Sequence, residues 1–297
     1  MHIPDMMIQG AVCPVTAGFA AIGLAGTAYA AWKSQTKPAA ASFAAVSALI
    51  FAGQMLNFPI QPGTSGHILG ATLAVALLGS GFGILAMALV VTAQCFVFGD
   101  GGISVLGANL LNMALIAALP AVAVRELILK PDFSAARRTV AYCLAAWISI
   151  IAAAFACSVE MAAAGAVPLQ KILPPMLSVH AWIGLGEAAV TFAACALLMP
   201  HIVSVPNRRM WLAPLAAAVV MTLLLSPFAS GSPDGLNWVA ESLGILKTSA
   251  PLFVSPFADY TVPVVTSEAV STALAGFIGA VMVFAAGCGV GKIWSKA

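Results

Sequence analysis

Long apolar stretches, broken by short polar or glycine- and proline-rich punctuation, run through almost the whole chain. A helix needs about 20 apolar residues to cross a hydrocarbon core roughly 30 Å thick. Stretches of that kind cover residues 7–32, 39–58, 82–98, 106–129, 140–164, 172–199, 210–228 and 269–290. Between the second and third lies 67–78, apolar but only 12 residues long, with Gly66 before it and Gly79-Ser80-Gly81 after it. It reads as a short tilted span or as a broken helix whose backbone lines a cavity. Counted as a crossing it gives nine spans, with the N-terminus outside and the C-terminus inside.

The basic residues test that count, because Lys and Arg favour the cytoplasmic side. With nine spans, ten of the 12 fall inside: Lys33, Lys37, Arg125, Lys130, Arg137, Arg138, Arg208, Arg209, Lys292 and Lys296. Only Lys171 and Lys247 remain outside, whereas eight crossings set the two halves in conflict. The fold class predicted is therefore all-α and polytopic, a multi-pass membrane protein.

Composition changes the picture in one respect: it closes off other classes. Hydrophobic residues make up 62% of the 297 and charged residues only 7%. A soluble domain carries about a quarter charged residues, so a water-facing surface cannot be made here. The net charge of +2 comes with no basic run beyond Arg137-Arg138 or Arg208-Arg209, which excludes nucleic acid as a partner. The six cysteines include no CxxC and sit mostly in apolar runs, as small hydrophobes. No Lys or Arg precedes Lys33, so the start lacks the charged leader of a signal peptide and is expected to be retained.

Residues 229–267 have another texture, richer in Pro, Ser and Asp, with Ser232-Pro233-Asp234-Gly235-Leu236 among them. They predict a long external loop before the last span, and loops of such length are usually functional or disordered. The chain divides into 1–201 and 202–297.

No phosphate-binding loop, HExxH or Ser/His/Asp arrangement occurs, which argues against an enzyme and against a built-in ATPase. Chemistry is left to four histidines: His2, His67, His180 and His201. The Met1 amine, the amide nitrogen of His2 and its imidazole can wrap one ion in fused chelate rings. Nickel(II) and copper(II) suit such planar nitrogen ligation better than zinc, which prefers a tetrahedron. Met1 should persist, since initiator Met is normally removed only before small residues. His67 opens the short apolar stretch on the same predicted side as His2, with neutral imidazole favoured by a helix N-terminus. Asp5 or Asp100 could offset the ion's charge. His180 and Glu187, seven apart, share a helix face and read as a contact between helices or with a partner subunit. Asn109 and Asn112 could hold a binding loop or tie helices together, and His201 reads as interfacial.

Met1-His2-Ile3-Pro4-Asp5, Gly63-Thr64-Ser65-Gly66-His67-Ile68-Leu69-Gly70, and the stretch from Gln94 to Asn109, with Asp100-Gly101-Gly102 and Leu106-Gly107-Ala108-Asn109, resemble the signature blocks of the CbiM/NikM family. Pro233-Asp234-Gly235-Leu236 is similar to a segment of that family's small NikN-like accessory component, here fused at the C-terminus. Two departures are Met6-Met7 after Asp5 and Asn237 where an acidic residue is common.

The resemblance implies the metal-binding S component of an energy-coupling-factor importer for Ni2+ or Co2+. The ion would be ligated by Met1, His2 and His67, beneath a loop at 59–67. The resemblance further implies a transmembrane coupling subunit and two cytoplasmic ATPase subunits as partners, and no organic cofactor. A stand-alone secondary transporter of divalent cations, or an S component for a non-metal substrate, are the alternatives.

Overall fold

The computed structural model describes residues 1–204, 211–246 and 252–295. Arg208, Arg209, Lys247 and Lys296 of the charge tally lie outside the described residues, as does the side chain of His201.

Helix α1 (Val12–Lys33) is followed by α2 (Ala40–Gln54), then by an antiparallel hairpin of β1 (Phe58–Gln61) and β2 (Thr64–Gly66). Next come α3 (Ala71–Leu78), α4 (Ser80–Phe98), α5 (Leu106–Ile128), α6 (Ala135–Ala163) and α7 (Leu169–Ser204). The chain closes with α8 (Leu212–Phe228), a short α9 (Gly235–Ser242) and α10 (Glu268–Ser295). Among the described residues, α1, α4, α5, α6, α7 and α10 are long and apolar enough to cross a membrane, while α2 and α8 are apolar but shorter. The protein is a mostly helical, polytopic membrane protein.

Two features depart from the sequence reading. Residues 58–66, expected as a loop, pair as strands, because Gly63 at φ +82° makes the tight turn between them. The 67–78 stretch folds as the eight-residue α3, about 12 Å long at 1.5 Å per residue. Gly70 and Gly79, both at positive φ, bracket it and turn it onto α4. Nearly every α3 side chain is buried, so its apolar character serves packing against protein.

The C-terminal segment is not an appendage. On α10, a Cβ at Gly287 or Gly291 would lie 2.8 Å from Ala44 Cα or 2.7 Å from Ala40 Cα. Small residues spaced four apart thus let α10 and α2 approach backbone to backbone, the packing that membranes favour where hydrophobic burial gives no drive.

Candidate metal centre

The first five residues form a strap threaded into the protein. Both faces of Ile3 are gripped by Asn109: the Ile3 N–H donates to Oδ1 at 2.8 Å and Nδ2 donates to the Ile3 carbonyl at 3.1 Å. That carbonyl also accepts from Gly102 N–H at 2.9 Å. A Cβ on Gly102 would collide with Asp5, so the close passage requires glycine. Asp5 turns aside to the backbone N–H and hydroxyl of Ser104, at 3.0 and 2.5 Å. Met1 and His2 are each 5% exposed as a result.

The terminal amine lies 2.7 Å from His67 Nε2 and donates to Asp234 Oδ2 at 2.6 Å. The His67 Nδ1 sits 2.8 Å from the Ile68 carbonyl. A carbonyl only accepts, so Nδ1 carries the proton and Nε2 presents its lone pair to the amine. The imidazoles of His2 and His67 stack, centroids 5.5 Å apart at 24°. His2 Nε2 is 3.1 Å from Gln94 Oε1, while Nδ1 is 3.0 Å from Asp100 Oδ1. Both ring nitrogens therefore face acceptors. An imidazolium satisfies that arrangement, and so does a cation on Nδ1 with the proton on Nε2. Tyr260 closes the circuit, donating to Asp100 Oδ2 at 2.7 Å and accepting from Gln94 Nε2 at 3.2 Å.

Gln94 reaches His2 from a π-helical turn, Gln94–Phe98, that ends α4 at Gly99. Such wide turns often mark functional sites. Asp234 comes from the C-terminal segment, where its Oδ1 caps α9 by accepting from Asn237 N–H at 2.8 Å. Ser65 fixes this segment to the hairpin: its N–H donates to the Pro233 carbonyl at 2.9 Å and its hydroxyl to the Ser232 carbonyl at 2.7 Å.

Burial, then repulsion from the terminal ammonium and His2, pushes the His67 imidazole down to about 3. Burial pulls Asp234 upward, but the ammonium and His67 outweigh it and hold the carboxyl down at about 2. Asp100 lies further below the ordinary carboxylate range, because His2 beside it outweighs the cost of burial. Burial, then Asp100, pushes the Tyr260 phenol well above its usual value. His67 is thus neutral and ligand-ready near pH 7, with carboxylates alongside. Over the site opens a polar cavity of about 350 Å³, lined by His2, His67, Asp100, Asp234, Asn237 and Tyr260 among others.

Met1, His2 and His67 are brought together, and Asp100 and Asp234, not Asp5, are the acids beside them. His67 does not cap a helix as expected: it stands between β2 and α3, and burial keeps its ring neutral. Asn109 holds the strap, whereas Asn112 donates to Glu160 at 2.6 Å between α5 and α6. Glu187 accepts from the backbone N–H groups of Leu69 and Gly70 at 2.7 and 2.8 Å, pinning the turn after His67. Tyr260 was not singled out from sequence, and Gln94 and Asp234 only as part of their motifs. Among the described residues no three His, Cys, Asp or Glu side chains cluster as a metal site, and the terminal amine is the further nitrogen beside His67.

A polytopic helical protein with a buried, nitrogen-rich centre beneath a polar cavity defines the class. Two family models match in turn: the cobalt uptake substrate-specific transmembrane region over residues 2–203, and the PDGLE domain over 208–296. The fused nickel transport protein NikMN of Rhodobacter capsulatus is 32% identical over 275 residues, 81% of this chain and 76% of its own. An Archaeoglobus fulgidus protein provisionally named as a fused NikMN is 34% identical over 296 residues, 97% of each chain. A crystal structure described as a truncated transition metal transporter superposes with TM-score 0.60 at 30% identity, covering 68% of this chain and 99% of that one. The chain belongs to the CbiM family of nickel and cobalt transport proteins, with a PDGLE domain in its C-terminal part.

Proposed function

We propose that the chain is the metal-binding S component of an ATP-driven energy-coupling-factor importer, and that it captures Ni2+ or Co2+ on the outer face. The carrying observation is the amine of Met1 at 2.7 Å from the bare Nε2 of His67. Adjacent nitrogens, each about 2 Å from one ion and at right angles, stand roughly 2.8 Å apart. An ion that replaces the shared proton would take the Met1 amine, the His2 amide and Nδ1, and His67 Nε2 as four nitrogens. Displacing a proton from the His2 backbone amide makes capture pH-dependent. The order of donors favours nickel, with Asp100 and Asp234 neutralising the charge.

In this reading the chain makes nine crossings, one of them completed by the short α3 within the protein rather than against lipid, with the N-terminus outside and a division at 201/202. Residues 229–267 form the external loop that supports loading. A transmembrane coupling subunit and two cytoplasmic ATPases complete the importer in the inner membrane, and the chain itself performs no enzymatic step. The test is ATP-dependent 63Ni uptake by cells or vesicles that make the chain with its partners. His2→Ala should abolish uptake at limiting metal. Undiminished uptake, or an N-terminus found trimmed or acylated by mass spectrometry of active protein, would overturn the site.

A further inference from the structure

His180 is buried on α7 with 1% of its surface exposed. Its Nδ1 lies 2.8 Å from the Met176 carbonyl of its own helix, so Nδ1 carries the proton and Nε2 is a bare acceptor. Among the described residues that Nε2 has no hydrogen-bond partner. Leaving a buried acceptor unpaired costs about 1–3 kcal/mol. The ring borders a cavity of about 10 Å³ whose walls include Met1, His67, Ile183, Asp234 and Gly235. That is about the space one water needs, and a buried water needs two to four polar partners. Gly235, which opens α9, keeps the wall open, since a Cβ there would sit 3.1 Å from His180 Cε1.

We propose that His180 is a positioning residue for the Met1 amine, acting through one water held in this cavity. Of the three ammonium protons, one faces His67 Nε2 and one faces Asp234 Oδ2. The third is left for the water, which in turn donates to His180 Nε2. When an ion replaces the proton toward His67, the two remaining N–H bonds keep their acceptors. The amine's rotation is thereby fixed, with its lone pair aimed at the ion. The role belongs to the side of the centre away from the entry cavity, whose lining does not include His180.

The proposal rests on the metal reading above, and the experiment separates the two. Detergent-purified full-length chain and its His180→Leu and His180→Gln variants are titrated with Ni2+ by competition. Thermal unfolding is followed without metal, and nickel X-ray absorption counts imidazoles. His180→Leu should bind Ni2+ about 10- to 100-fold more weakly, the usual effect of losing an outer hydrogen-bond partner, without loss of metal-free stability. His180→Gln, which keeps an acceptor, should stay within about threefold of the parent by the same hydrogen-bond logic. Two imidazoles should be counted in parent and Leu variant alike. Unchanged affinity in His180→Leu would overturn the positioning role and leave the metal site standing. So would a fall from three imidazoles to two, which would make His180 a ligand. Equal losses of affinity and stability in both variants would reduce it to packing. A parent chain that binds no Ni2+ would sink the metal reading and this role together.

Discussion

The two walls of the centre come from different parts of the chain and supply different things. The wall built from residues 2–203 contributes nitrogens and the amide clamps that aim them: His2, His67, Gln94 and Asn109. The wall from 208–296 contributes Asp234, which holds the amine, and Tyr260, which fastens Asp100. Donors on one side and anchors on the other mean that the C-terminal segment is structural to the site, not a cover laid over it. The comparison can be broken from either side.

The largest effect should come from the nitrogen wall. Asn109→Ala frees the strap and strands the buried Ile3 N–H, so Ni2+ affinity should fall about 10- to 100-fold, as for other outer-shell groups. Competition titration measures it, and near-parental affinity would show that the strap is held by the ion rather than by the clamp.

The anchor wall is tested next by Asp234→Asn, which retains the cap on α9 and removes only charge. Losing a charge-assisted hydrogen bond costs about 1.5–3 kcal/mol, so the metal-free variant should unfold several degrees lower at pH 7. The carboxyl is held at about 2, against an ordinary 3.8. Its stabilisation is thus complete above the ordinary value and lost as pH falls through about 2. The gap between parent and variant should therefore close between pH 4 and pH 2, and a constant gap would assign the effect to packing.

Tyr260→Phe should give the smallest change. It removes one hydrogen bond to Asp100 and one from Gln94 while keeping the ring stacked on Phe98 at 4.7 Å. Ni2+ affinity should drop about threefold to tenfold, if about 1 kcal/mol of the two lost hydrogen bonds is felt at the metal. A larger loss would mean that Tyr260 orients His2 as firmly as Gln94 does.

The membrane class was readable because lipid imposes apolar composition on every span. Met1, His2 and His67 could be named from their local motifs. The anchors could not, since Met1 and Asp234 stand 233 residues apart and no local period links them. His67 was assigned to a helix start because its apolar continuation looked helical, but Gly70 delays α3 to Ala71. Glu187 stood out as an ionisable residue in a span. That both its oxygens would serve the backbone at Leu69 and Gly70 required the packing of α7 against that turn. Tyr260 gave no signal at all, one aromatic among many in an apolar chain.

The stitching of Ser65 to Ser232 and Pro233 ties the segments that carry His67 and Asp234 into a single latch. His67 follows two residues after one end of that stitch, and Asp234 directly after the other. Neither can withdraw alone without tearing hydrogen bonds from its neighbour. In the proposed metal reading, release of an ion would therefore require hairpin and C-terminal segment to part from the centre together.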